Sequence, residues 1–122
     1  MYREFRDRVD FYVVYIQEAH ASDMWQLPVN EKDGVIFATP KTQQDRSLVA
    51  SACVRKLGLE MPALLDGIDN AVDLAYTGWP DRLYVIDKDG YVRYKSGPGP
   101  FGFHPEQMRP TVIQVAGQNP KN

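Results

Sequence analysis

The chain of 122 residues is poor in the groups that proteins use for the commonest site chemistries: it has one cysteine and two histidines. A single thiol, Cys53, excludes an internal disulfide, a CxxC redox pair and a Cys-rich zinc site. His20 and His104 lie far apart without ligand spacing, so no metal site is expected. The longest apolar run is Phe11–Ile16, far short of the roughly 18–20 residues of a membrane helix. The first ten residues, MYREFRDRVD, are polar and charged, unlike a secretory signal. Lys and Arg number 14 against 16 Asp and Glu, a formal net charge of −2, which argues against a general nucleic-acid surface. What is present is ordinary for a globular protein: 43% hydrophobic and 25% charged residues. The length fits one domain with one core. The expectation is a soluble, cytoplasmic domain.

No internal repeat or low-complexity tract appears. Tyr2–Arg8 reads as the tail of a helix. Val9–Gln17 (VDFYVVYIQ) is β-branched and aromatic almost without a break. Apolar on both faces from Phe11 to Ile16, it predicts a central strand covered on both sides. Glu18–His20 leave that strand at its C-terminal end, where open α/β sheets tend to bind ligands. Ser22–Thr42, broken by Pro28, Gly34 and Pro40, is loop with Val35–Phe37 as an extended piece. Loops of that length are more often functional than idle.

Thr42–Leu57 predicts a helix with Thr42 as N-cap, Asp45 three residues on and Gly58 as the stop. Leu48, Val49, Ala52, Cys53 and Lys56 follow helical spacing. Ala63–Leu65 reads as a buried strand. Asn70–Thr77 reads as a short helix, capped by Asp69 or Asn70 and ended by Gly78. Leu83–Ile86 and Tyr91–Lys95 flank Asp87-Lys88-Asp89-Gly90 as a β-hairpin, with Gly90 supplying a positive φ. Ser96–Phe103 is a Gly/Pro-rich loop. It leads to a final helix, Pro105–Val115, with His104 near its cap. Pro110, one turn inside, should shorten or kink it. The tail from Gly117 is expected to fray. The order is the α/β layout of a thioredoxin-like fold: a central mixed sheet flanked by helices, here lacking the first strand and its redox motif.

The chemistry concentrates in Tyr15-Ile16-Gln17-Glu18-Ala19-His20-Ala21-Ser22-Asp23-Met24-Trp25. A carboxylate and an imidazole stand two apart, with a phenol before them and an indole after. Such a pair can hold a proton near neutral pH; equally, Glu18 can be a loop anchor bonded to backbone N–H groups. Cys53, among Val49, Ala50, Ala52 and Val54, reads as a small buried hydrophobe, because reactive thiolates favour helix N-termini or cationic neighbours. Arg82 can clamp an anion or pair with Asp81 or Asp87 on the surface. Asp66-Gly67-Ile68-Asp69-Asn70 is too short for a calcium loop. The Ser96–Gly102 glycines lack the Lys and following helix of a phosphate loop.

Several blocks together resemble the iodothyronine deiodinase family, its bacterial relatives in particular. They are Tyr15-Ile16-x-Glu18-Ala19-His20-x-Ser22-Asp23-x-Trp25, Asp45-Arg46, Asp66-x-x-Asp69-Asn70, Pro80-x-Arg82-Leu83-Tyr84-Val85-Ile86 and Gly97-x-Gly99-Pro100-x-Gly102-Phe103. The first is distinctive; the others are weaker but collinear. The resemblance implies a thioredoxin-like fold and a selenocysteine or cysteine nucleophile attacking iodine on an iodothyronine ring. A thiol reductant then serves as cosubstrate, and no cofactor is bound. It implies a catalytic role for Tyr15, Glu18 and His20, which relay protons or orient substrate, and places Trp25 and Arg82 at the substrate.

The chain departs from the family at Met24, where Gly is usual. Near Pro40 and Pro98 it lacks the family's hormone-holding His and Arg. The implied substrate is therefore a halogenated aromatic or related small molecule, without membrane or nucleic-acid partners. The non-deiodinase alternatives are a non-catalytic thioredoxin-fold binding module and a peroxiredoxin-like thiol oxidoreductase. Because the family's nucleophile precedes the helix that here begins at Met1, the chain as written is expected to be inactive. Its unpaired sheet edge is expected to favour a homodimer. Genomic DNA upstream of the Met1 codon should carry an in-frame strand followed by a Cys or UGA codon. Its absence there would remove the expectation of a lost nucleophile.

Overall fold

The computed structural model describes residues 1–18 and 41–119. Expectations for His20, Trp25, the Val35–Phe37 piece and the rest of the 19–40 segment lie outside the described residues. The described chain is mixed α/β and divides into two compact units, Tyr12–Trp79 and Met1–Phe11 with Pro80–Asn122.

In the first of these, β1 (Val13–Tyr15) pairs in parallel with β2 (Ala63–Leu65), Val13 opposite Ala63 and Tyr15 opposite Leu65. Parallel pairing requires a crossover, and the crossover contains helix α2 (Gln43–Leu57). Its ends follow the sequence reading. Thr42 Oγ1 accepts the Asp45 N–H at 3.0 Å, and Gly58 closes the helix at φ +62°. The buried positions of α2 are Arg46 and Ala50, however, and Leu48 is exposed.

The strand is shorter than Val9–Gln17, for a local reason. The Val9 N–H bonds the Phe5 carbonyl at 2.9 Å, so Val9 belongs to the turn after the first helix. Val9 and Phe11 pack on the other unit's core. Val14 is 39% exposed, so β1 is not covered on both faces.

After β2 the chain turns into the short helix α3 (Ala71–Tyr76). Asp69 Oδ1 receives the Ala71 N–H, but Asn70, at the N-cap position with φ 60°, makes no side-chain cap. The buried Asp66 carboxylate caps the first turn, accepting the Val72 N–H at 3.0 Å and the Asp73 N–H at 2.9 Å. Negative charge at a helix start is favourable. At the other end Thr77, not Gly78, takes the left-handed conformation. A Cβ at Gly78 would lie 3.3 Å from Ile16 Cδ1, a tight contact that a small shift of the Ile16 side chain would have to relieve.

The second unit joins α1 (Tyr2–Phe5), the hairpin β3 (Tyr84–Ile86) and β4 (Val92–Lys95), and α4 (Pro105–Ala116). Val112, Val115 and Ala116 recur at one-face helical spacing and pack with Phe5 and Val85 into its core. Arg109 ties α1 to α4 by two 2.7 Å bonds to the Glu4 carboxylate. Pro110 does not end the helix, which continues to Ala116; the residue sits on the exposed side, away from the packed stripe. His104 occupies the N-cap position but makes no side-chain cap; its ring bonds the Phe101 carbonyl. In the hairpin turn Gly90 has φ +89°. Asp87 gathers the Asp89 and Tyr91 N–H groups and the Arg93 guanidinium.

No described helix is long and apolar enough to cross a membrane. Asp66→Ala should remove both bonds at the α3 start and lower unfolding free energy by about 2–3 kcal/mol, measured by urea denaturation. A loss near zero would show that α3 does not depend on this carboxylate.

Candidate functional site

The C-terminal end of β1 delivers two of the residues that the sequence singles out. Tyr15 closes the strand, and its carbonyl accepts the Asp66 N–H at 2.9 Å, which fixes the end of β1 against the end of β2. The chain then leaves through Ile16 and Gln17. Gln17 Oε1 accepts a bond from Asn70 Nδ2 at 3.1 Å, and the next residue is Glu18.

Helix α2 faces this exit with residues four and seven apart. Arg46 is 2% exposed as a side chain, and Glu18 is 7% exposed. Arg46 Nη1 donates to the Gly67 carbonyl at 2.6 Å, and its Nε lies 3.7 Å from Glu18 Oε1. That second separation is an ion pair, too long for a good hydrogen bond. Neither Glu18 oxygen closes a hydrogen bond of good geometry among the described residues, but the Tyr15 phenol lies close enough to act on the carboxylate as a donor. Gln43, nearly a turn before Arg46, holds the same loop from its other side. Its Nε2 donates to the Asp66 carbonyl at 3.1 Å, and its Oε1 accepts the Ile68 N–H at 2.7 Å. The loop after β2 is thus bound to α2 through two side chains.

The titration of the site follows from burial and charge. Burial pushes the Tyr15 phenol well above its ordinary value; the nearby Glu18 charge, Cys53 and the phenol's hydrogen bonding to Glu18 push it further, and Arg46 acts in the opposite direction. Burial also raises the Cys53 thiol. A hydrogen bond with the Tyr15 phenol lowers it in part, and the Glu18 charge raises it again. A protonated, half-buried thiol is a weak nucleophile. The arrangement is a buried acid–base cluster: a phenol, a carboxylate and a guanidinium beside it. Among the described residues no group of three or more His, Cys, Asp or Glu is placed to hold a metal ion.

A family model for iodothyronine deiodinase matches residues 1–115. The chain belongs to the iodothyronine deiodinase family. It is 34% identical over 105 residues to a type I iodothyronine deiodinase from Xenopus laevis, covering 86% of this chain and 39% of the relative. It is 38% identical over 113 residues to a thyroxine 5-deiodinase from Gallus gallus, covering 91% and 41%. A type II iodothyronine deiodinase from Petromyzon marinus is 36% identical over 116 residues, covering 93% and 38%. The chain thus spans about two fifths of the length of these curated relatives.

Of the deiodinase-type residues expected from the sequence, Tyr15 and Glu18 come together. His20 and Trp25 lie outside the described residues. Arg82 belongs to the other unit, where its Nη1 donates to the Ser96 carbonyl at 3.3 Å. Sequence reasoning named Arg46 only within the Asp45-Arg46 block and gave it no role, and it missed the nearness of Cys53. Their signal is the spacing Arg46–Ala50–Cys53, one face of α2, hidden because an arginine reads as a surface residue.

Since Cys53 is the only cysteine, its alkylation reports this site alone. Glu18→Gln removes a charge that raises the thiol, so the pH midpoint of Cys53 alkylation should move down. The check is the rate with a small alkylating reagent across about pH 7 to 11. An unmoved midpoint would place Glu18 too far from the thiol to matter.

Proposed function

We propose that this chain is the thioredoxin-like domain, residues 1–122, of a deiodinase-like oxidoreductase that removes halogen from a small aromatic substrate. The fold reading draws support from the parallel β1–β2 pair with α2 in its crossover and from the β3–β4 hairpin followed by α4. The functional reading is carried by one observation in a chain of this family. The Glu18 carboxylate, its side chain 7% exposed, stands against the Tyr15 phenol, which it helps to hold protonated, at a strand's C-terminal end.

In this reading a selenolate or thiolate attacks the iodine. The carbon–iodine electron pair stays on the ring carbon, which takes up a proton, and the nucleophile leaves as a selenenyl or sulfenyl iodide. Two molecules of a thiol reductant then restore it, releasing iodide and forming one disulfide. Glu18, His20 and Tyr15 supply and steer the ring proton, and Trp25 contacts the substrate. Cys53 is not the nucleophile, because its thiol is raised by burial and stays protonated at neutral pH. The reductant is a cosubstrate, and the chemistry calls for no bound cofactor.

The test is iodide release from an iodinated phenol with excess dithiol, using the protein as its gene encodes it. General acid–base groups contribute about 10²–10⁴-fold, so Glu18→Gln and His20→Ala should each lower turnover by roughly a hundredfold or more with little change in melting temperature. Cys53→Ser should stay active. Peroxide reduction without iodide release would favour the peroxiredoxin-like reading. Loss of folding matching the loss of turnover would return Glu18 to a loop anchor.

A further inference from the structure

The guanidinium of Arg46 is the most buried charge on the face of α2 that meets β1, and the proposed proton chemistry does not use it. It has two engagements, at different ends of its planar fork: Nη1 on the Gly67 carbonyl at 2.6 Å and Nε toward Glu18 Oε1 at 3.7 Å. The first fixes the fork to the loop between β2 and α3. The second gives the Glu18 carboxylate its nearby positive charge. Helix α2 itself is anchored, by the Thr42 cap and by the two Gln43 bonds to the Asp66–Ile68 loop.

We propose that Arg46 is the positioning residue of this site: spanning the Gly67 carbonyl and Glu18, its guanidinium holds the carboxylate beside the Tyr15 phenol. The functional consequence rests on the reading that Glu18 serves proton transfer. The positioning itself does not, and it is measurable without turnover. A lysine has one nitrogen and cannot span both engagements, whereas the fork of an arginine can. The titratable and charged groups facing Glu18 among the described residues are Tyr15 from β1 and Arg46 and Cys53 from α2. The nearby Asp66 carboxylate is occupied by the α3 N–H groups.

The test uses Cys53 as reporter. Burial, the Tyr15 phenol and the Glu18 charge set its titration, so Arg46 reaches the thiol by way of Glu18. If Arg46 holds Glu18, Arg46→Gln frees the carboxylate to move away from the thiol, and the alkylation midpoint of Cys53 falls toward that of Glu18→Gln. The double variant Arg46→Gln/Glu18→Gln then falls no lower than Glu18→Gln. A midpoint unchanged from wild type in Arg46→Gln would overturn the proposal.

Melting temperature supplies the second measurement, and it decides the matter if Arg46→Gln folds poorly. Removing one partner of a buried pair leaves an uncompensated charge, so adding Glu18→Gln to Arg46→Gln should restore stability. A double variant no more stable than Arg46→Gln alone would equally overturn the proposal. Iodide release is read separately. Its absence from the protein as its gene encodes it, nucleophile included, would sink the proposed function while leaving the thiol and melting results to judge Arg46.

Discussion

A guanidinium almost completely removed from water must be compensated in hydrogen bonds and charge, and the surroundings of Arg46 are arranged around that demand. The Gly67 carbonyl supplies a charge-assisted hydrogen bond and Glu18 supplies the opposite charge. Each partner comes from a different stretch of chain, one following β2 and one following β1. The strand ends must therefore be in register before both can be reached. The Asp66 N–H to Tyr15 carbonyl bond sets that register. Buried ion pairs contribute little net stability when compared with apolar residues of the same volume. What this one adds is definition: the exit of β1 and the loop after β2 are held where Nη1 reaches the Gly67 carbonyl and Nε, which closes no hydrogen bond, faces the Glu18 charge.

Asp66 plays the matching part on the other side of the same loop. Its backbone N–H holds β1, its carbonyl accepts from Gln43, and its carboxylate caps α3. One residue thus joins the two strand ends, α2 and α3. The contrast between the two buried carboxylates is chemical. Each Asp66 carboxylate oxygen accepts a backbone N–H, as a structural group is expected to. Glu18, less deeply buried, has no backbone donors among the described residues and faces the Tyr15 phenol and the Arg46 charge instead.

The sequence made the element types legible where local chemistry decides them. Thr42 and Gly58 bracket α2 as their capping chemistry requires, and Asp87–Gly90 turns the hairpin. It was less informative where a residue's partner lies far along the chain. Val9 and Phe11 have the composition of a strand, but their side chains serve the core built on α4, so β1 starts only at Val13. Asp69 takes the first N–H of α3 as its place suggests, yet the next two go to Asp66, whose position a linear reading does not distinguish from an ordinary loop acid. The helical period of α2 was readable, but its inward face was not, because Arg46 occupies a place that hydrophobic patterning reserves for apolar residues. Tyr15 and Glu18 were legible as a pair because both lie on one short segment.

The contact between α1 and α4 has a consequence for assembly. Glu4 and Arg109 are 105 residues apart in sequence, and Asn119 donates to the carbonyl of Arg8 across 111. The whole Tyr12–Trp79 unit is inserted between the two pieces that these bonds join. The entropy of closing a loop rises only with the logarithm of its length, so the insertion costs the surrounding unit little stability. Its effect is on time. The inserted unit builds on shorter-range contacts, such as those of Gln43 with Asp66 and Ile68, whereas the surrounding one must wait for the two distant pieces to meet.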